Sequence, residues 1–151
     1  MLKLYVGHAP NSWNRCQRLG RGFDSLDPLH KKKLFYKMSD LLNKKCVPCE
    51  NGILPFNISE IHKYQKKVDD WKLKKNEKQI FLLEKNFTFK NFIRSQDFVN
   101  KVGEIAEEEG HHPDISFGWG YAKIIITTHA IEGLSENDFI LAAKIDKIFN
   151  V

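Results

Sequence analysis

From Phe56 onward, apolar side chains alternate between the spacing of a helix and that of a strand, and this order constrains the fold most. Helical spacing predicts a first helix with Ser59 as its N-cap and an end near Asp70 or Trp71. The alternation from Ile80 to Phe89 predicts two antiparallel strands, with residues 75–78 as the first turn. The first half of the domain therefore reads as one helix followed by strands.

The second half of the chain repeats this order. We predict a second helix that begins at residues 95–97 and ends at Gly110 as its C-cap. Short strands are predicted over residues 114–117 and 121–128, and Ser135 with Asp138 forms a capping box for a last helix. The order α-β-β-α-β-β-α predicts an α+β fold, with one four-stranded antiparallel sheet and three helices packed on one face.

Size and charge limit the class of protein. A chain of 151 residues is one domain, and no apolar run is long enough to cross a membrane. The net charge of +5 lies in residues 1–40, which hold eight Lys or Arg and three Asp or Glu, whereas residues 41–151 hold sixteen of each. The neutral remainder carries no sign of nucleic-acid binding.

The same imbalance divides the chain into a basic N-terminal extension, residues 1–39, and a folded domain, residues 40–151. Few apolar positions in the extension are periodic, so we expect much of it to be poorly ordered. It could also be an organellar presequence, or leader sequence before a second start at Met38. We expect a cytoplasmic location, or an organelle if residues 1–37 are a presequence.

The three cysteines are Cys16, Cys46 and Cys49, and an odd number cannot form a fully paired disulfide framework. Cys46 and Cys49 have the spacing of half a zinc site or of a redox pair. Two further zinc ligands at suitable spacing are missing, and the pair precedes a turn instead of opening a helix. We interpret it as a modest structural pair in a reducing compartment.

Three histidines and several carboxylates are concentrated between residues 107 and 138. His111 and His112 follow Gly110, His129 follows a predicted strand, and Asp138 lies at the start of the last helix. Histidine both gives and takes protons near neutral pH, so this set indicates acid–base chemistry on a small molecule. Adjacent side chains of an extended segment point in opposite directions, so we expect one of the two neighbouring histidines to bond or pack while the other works.

Several of these motifs together resemble the pterin-4a-carbinolamine dehydratase family. The resemblance rests on Glu-Gly-His-His-Pro-Asp at residues 109–114, Thr-Thr-His at residues 127–129 and Gly-Leu-Ser-Glu-Asn-Asp-Phe at residues 133–139. It extends over roughly residues 40–149, and the spacing between the histidines and Asp138 is that of the family.

The resemblance implies the substrate and the roles of the residues. The reaction would dehydrate a 4a-hydroxytetrahydropterin, left by an aromatic amino acid hydroxylase, in tetrahydrobiopterin recycling without a cofactor or a metal. The implied catalytic residues are His111, His112, His129 and Asp138, where Asp138 fixes the tautomer of a histidine. The implied substrate-binding residues are Glu107, Trp71 and Thr128, with Trp71 as a wall of the pterin pocket.

Purely structural roles remain open for several of these residues. Asp138 could serve only as a helix cap, Glu107 could be part of a solvated helix surface, and Trp71 could belong to the core. Members of the family that the chain resembles commonly have an acid or other polar residue where this chain has Gly110, so any role of that residue would be absent here or moved to Glu109.

Two other classes of function compete with the enzyme. Some animal relatives act as dimerisation cofactors of a transcription factor, for which the last helix would be the partner surface. A metal enzyme with three histidine ligands is less favoured, because adjacent histidines on an extended chain diverge. The resemblance also implies a homodimer or homotetramer.

Overall fold

The computed structural model describes residues 40–47 and 54–150, which form a four-stranded antiparallel sheet with helices packed against it. The predicted α+β class is confirmed. The N-terminal extension, Cys16 and Cys49 lie outside the described residues, so the predictions about them stay predictions. The elements in chain order are α1 (Ile58–Gln65), β1 (Lys72–Lys75), β2 (Phe81–Thr88), α2 (Phe92–Glu109), β3 (Asp114–Gly118), β4 (Tyr121–Ile126), a 3-10 helix (His129–Ile131) and α3 (Glu136–Phe149).

The strand order is β1-β2-β4-β3, and every neighbouring pair is antiparallel. Alternation along β4 decides which face of the sheet is covered: Ala122, Ile124 and Ile126 are buried, whereas Lys123 and Ile125 are only half-buried. This period of two places one row of β4 side chains in the hydrophobic core. Phe87 of β2 joins that core and packs against the ring of Phe98 in α2 at 4.7 Å.

Helix α1 begins and ends earlier than predicted. Its N-cap is Asn57, whose side chain accepts from the backbone N–H groups of Ser59 and Glu60, so the prediction of Ser59 as cap is wrong. The helix ends at Gln65, because the chain then turns and Asp70 adopts a left-handed backbone with φ of 50°. The Gln65 side chain donates to the carbonyl of Trp71 and closes this turn.

Helix α2 begins at Phe92, three residues before the first residue of the predicted start at residues 95–97. Asn91 is the N-cap and accepts from the N–H of Arg94, while Ser95 lies inside the first turn and donates its hydroxyl to the Asn91 carbonyl. A hydroxyl that bonds back to residue i−4 is compatible with a helix interior, so Ser95 did not mark the boundary. The predicted C-cap is confirmed, since Gly110 has φ of 60°.

The strand β4 ends at Ile126, two residues before the predicted end, and His129 begins the short 3-10 helix. Helix α3 then starts with the predicted capping box of Ser135 and Asp138. Most of α3 is buried, including residues 137–143, 145 and 146. Little of this helix is exposed in the described chain, so the partner surface predicted for it stays a prediction with little exposed area behind it. Within residues 40–47 and 54–150, no helix is long and apolar enough to cross a bilayer.

Candidate active site

His111 and Asp138 form a buried pair between the end of α2 and the start of α3. Gly110 ends α2 in the left-handed conformation, and the N–H of His111 then donates to the carbonyl of Ala106. This geometry turns the imidazole inward, where its Nε2 lies 3.0 Å from Oδ1 of Asp138. Because a carboxylate can only accept, Nε2 carries a proton in this pair.

The second oxygen of Asp138 is held by three donors. Oδ2 accepts from the N–H of Ser135 at 2.7 Å, from the Thr128 hydroxyl at 2.8 Å and from the Ser135 hydroxyl at 3.2 Å. Thr128, Ser135 and Asp138 itself are buried. The capping box that the sequence predicts accounts for Ser135, but the contact from Thr128 has no signal in a single sequence.

His112 and Glu107 form a second pair, and it lies in solvent. Nε2 of His112 is 3.0 Å from Oε1 of Glu107, and the two side chains are 60% and 80% exposed. The neighbouring histidines thus differ completely in environment, as the extended backbone before Pro113 predicted. Glu107 lies in the last turn of α2, two residues before its end, and is therefore close to the exposed ring.

His129 lies apart from both pairs in the described contacts. It lines a cleft of about 760 Å³ together with Thr127 and the turn between β1 and β2, from Lys75 to Ile80. In the described part of the chain, no hydrogen bond joins His129 to His111 or His112. Since Thr128 points towards Asp138, the two residues that flank it face the opposite side of the segment.

Trp71 is buried in the core, where it contacts Asp146 near the C-terminal end of α3, the end opposite the capping box. Its indole Nε1 lies 3.1 Å from both carboxylate oxygens of Asp146, and its ring meets Phe87 edge-on at 6.1 Å. Lys85 donates to Oδ1 of Asp146 at 2.8 Å in the same cluster. The structure does not bring Trp71 into contact with any of the predicted catalytic residues.

Glu109 links the end of α2 to α3 and to the segment at Cys46. Its carboxylate accepts from Lys144 of α3 and from the N–H of Cys46 at 2.8 Å, and its side chain is 5% exposed. Burial alone would raise the pKa of Glu109, but these donors hold that pKa below its ordinary value. Because Glu109 is buried and already paired, it does not replace at the surface the polar residue that the resemblance implies just before the two histidines.

Cys46 is a free thiol next to Glu109. Its Sγ lies 3.6 Å from the Asn137 carbonyl. Burial, followed by the negative charge of Glu109, raises the pKa of the thiol to about 12. A thiol with such a pKa is a poor nucleophile at neutral pH. Among residues 40–47 and 54–150, no three His, Cys, Asp or Glu side chains converge as metal ligands.

Comparison with known proteins decides the family. The sequence model of the family described as Pterin 4 alpha carbinolamine dehydratase matches residues 55–148. The chain belongs to the pterin-4-alpha-carbinolamine dehydratase family. Its matched region contains every predicted site residue, from Trp71 to Asp138, whereas Cys46 lies outside it.

Two relatives with the provisional name of pterin-4-alpha-carbinolamine dehydratase illustrate the similarity. One, from Rubrobacter xylanophilus, is 45% identical over 111 residues, which cover 74% of this chain and 100% of the relative. Another, from Methylococcus capsulatus, is 47% identical over 108 residues, which cover 72% and 92%.

A solved structure supports the dehydratase fold independently. It is described as a transcriptional coactivator/pterin dehydratase from Brucella melitensis and matches with a TM-score of 0.56 and 24% identity. The match covers 62% of this chain and 97% of that one.

Proposed function

We propose that this member of the dehydratase family converts 4a-hydroxytetrahydropterin to quinonoid dihydropterin by histidine acid–base catalysis, in tetrahydrobiopterin recycling. One observation carries the proposal: two consecutive histidines each meet a carboxylate at 3.0 Å, one pair buried and the other exposed. The reaction requires one group that gives a proton and one that takes it, and an imidazole can do either near neutral pH.

The chemistry is a balanced elimination of water. The bond between C4a and its hydroxyl oxygen breaks, the proton on N5 is removed, and a double bond forms between C4a and N5. Hydroxide leaves poorly, so an acid must protonate the departing oxygen while a base accepts the N5 proton. Each positioned proton transfer typically contributes about 10²- to 10⁴-fold. Neither step changes the oxidation state of the pterin.

The two environments suggest a division of labour. His112 is exposed, so it can reach a substrate and exchange its proton with water, and we assign proton transfer to it first. His111 carries a proton on Nε2 towards Asp138, which leaves Nδ1 as its reactive nitrogen. His129, which lines the cleft beside the turn between β1 and β2, is the proposed third histidine that handles the polar edge of the substrate.

The three residues proposed to bind substrate differ in how exposed they are. Glu107 is exposed and can contact a pterin while it orients His112. Trp71 is only 3% exposed, so it can support a pocket wall from within the core but can contact a substrate very little. Thr128 directs its hydroxyl to Asp138, and its backbone N–H and carbonyl both bond Gly133, so direct contact with substrate has little support.

The test is the dehydration of freshly generated 4a-hydroxytetrahydropterin, with the product identified by its quinonoid dihydropterin absorption. We expect the full chain to accelerate water loss well above the spontaneous rate. Acceleration equal to that of an unrelated basic protein would contradict the proposal. A proton-transfer mechanism also predicts a slower rate in deuterated water.

We further propose that the chain self-associates, as a homodimer or homotetramer. The observation behind this is a row of exposed apolar side chains near the edge strand β3, namely Phe92, Ile93, Phe117, Trp119 and Tyr121. An unpaired edge with apolar neighbours can accept a second copy. Light scattering of Trp119→Ser beside the wild type tests this, with a lower mass expected for the variant.

The alternative of a protein-binding cofactor without catalysis would use this same surface, because α3 is buried. A bound protein together with no turnover would favour that alternative.

A further inference from the structure

We propose that Thr128 and Ser135 are positioning residues, whose hydroxyl groups aim the Asp138 carboxylate at His111. For its kinetic consequences the proposal rests on the dehydratase function. The position of one proton, on Nε2 of His111, depends on this arrangement and can be measured without any turnover.

The two oxygens of Asp138 have different surroundings. Oδ2 is occupied by the Thr128 hydroxyl, the Ser135 N–H and the Ser135 hydroxyl, at 2.7 to 3.2 Å. Oδ1 faces Nε2 of His111. A carboxyl group has about four acceptor positions, so three donors on one oxygen fix its rotation and leave the other oxygen for the imidazole.

Burial makes this arrangement consequential. Asp138 has no exposed surface, Thr128 and Ser135 are each 3% exposed, and His111 is 7% exposed. In such surroundings water cannot replace a lost donor, and each hydrogen bond to a buried charge is strong. The carboxylate therefore depends on these hydroxyls for its orientation.

Helix capping alone does not explain the contact from Thr128. A capping box needs only Ser135 and Asp138, which belong to one turn of α3. Thr128 comes from the segment after β4 and is held there by its bridge to Gly133. The Thr128 and Ser135 hydroxyls are 3.3 Å apart, so the pair joins the end of the sheet to the start of the helix around one carboxylate.

The consequence is a fixed tautomer of His111. With Oδ1 held opposite Nε2, the neutral imidazole keeps its proton there, and Nδ1 carries the lone pair. If the carboxylate rotates, the proton is free to occupy either nitrogen. The proposal thus replaces the substrate-binding role that the family resemblance implies for Thr128 by an indirect role.

The experiment compares Thr128→Val, which keeps the shape but loses the hydroxyl, with Thr128→Ser, which restores it. Imidazole nitrogen NMR of the full chain reports the tautomer of His111. We expect the Nε2–H form in the wild type and in Thr128→Ser, and a mixture of both forms in Thr128→Val. Turnover in Thr128→Val should fall about tenfold with KM within twofold, because a misaimed catalytic group lowers the rate of the chemical step.

A second variant protects the test against a failure to fold. Ser135→Gly removes the hydroxyl but keeps the backbone N–H, and glycine is tolerated as an N-cap. The same change of tautomer is expected there. An unchanged His111 tautomer in both folded variants would overturn the proposal. A raised KM with unchanged kcat in Thr128→Val would instead assign Thr128 to substrate binding.

The two proposals fail in distinguishable ways. If the wild type does not accelerate dehydration, the dehydratase function fails, yet the NMR comparison still decides whether the hydroxyls set the tautomer. If the wild type is active and the tautomer does not respond, only the positioning role fails.

Discussion

Nε2 of His111 lies 3.0 Å from Oδ1 of Asp138, and both side chains are buried where two helix ends meet. The same distance separates His112 from Glu107 in solvent. The chain therefore offers one fixed and one adaptable imidazole within two residues.

Asp138→Asn should lower kcat by about 10²- to 10⁴-fold, because an amide can present N–H to His111 and reverse its tautomer. The measurement is kcat at saturating pterin, with circular dichroism to establish that the variant is folded. Asp97→Asn, an exposed position on α2, is the matched control and should retain full activity. A folded Asp138→Asn variant with normal kcat would show that Asp138 acts only as a helix cap.

Glu107→Gln should leave stability nearly unchanged, since exposed ion pairs contribute less than about 1 kcal/mol. If Glu107 contacts the pterin as proposed, KM should rise several-fold. The control is Glu108→Gln, the next residue of the same exposed helix end, for which we expect no change in KM or stability. Equal KM values for both variants and the wild type would remove Glu107 from the site.

Gly110→Ala and Gly103→Ala should change stability in opposite directions. Gly110 has φ of 60°, and an added Cβ would meet nothing within 4 Å, so the cost is backbone strain of about 1 kcal/mol. Gly103 also has open space around it but lies inside α2, where alanine stabilises by about 1 kcal/mol. Urea unfolding measures both; equal shifts would contradict the assigned cap.

These glycines show what a single sequence can predict. The Gly110 cap and the Ser135–Asp138 box are local signals, because each depends on residues within one turn. The starts of α1 and α2 were misplaced, because Asn57 and Asn91 cap as well as the nearby serines do. At α1 a local signal favours Asn57, because Glu60 completes a capping box with it.

The partners of buried polar groups could not be predicted. Asp138 and Glu107 look alike as helix-end acids, yet one has no exposed surface and the other is in solvent. Trp71 was assigned to a pocket wall, whereas its indole bonds Asp146, which is 75 residues away in the chain. Such pairings depend on how elements pack, and periodicity carries no information about them.

Lys85→Met should destabilise the protein most at neutral pH. Lys85 is the buried counter-ion of Asp146, and removal of one partner of a buried pair costs about 3–5 kcal/mol. Burial raises the pKa of Asp146 from its ordinary 3.8 to about 6, against the lowering effect of Lys85. The folded state therefore binds this proton more tightly than the unfolded chain does.

Asp146 contributes its full stabilisation below about pH 3.8 and loses it as the pH rises through about 6. In Lys85→Met the carboxyl should hold its proton to still higher pH, so the destabilisation at pH 7 should shrink at pH 5. Urea unfolding at both pH values tests this, with Lys72→Met on the exposed strand β1 as control. A destabilisation independent of pH would contradict the buried pair.

The most direct test of the central claim is the ultraviolet decay of 4a-hydroxytetrahydropterin with wild-type protein, His112→Ala and the control His62→Ala. His62 is exposed on α1, away from the site, and its ring meets only Gln65 among the described contacts. We predict rapid dehydration by the wild type and His62→Ala, and loss of most of it in His112→Ala. Equal rates for all three proteins, or no acceleration by any of them, would contradict the account.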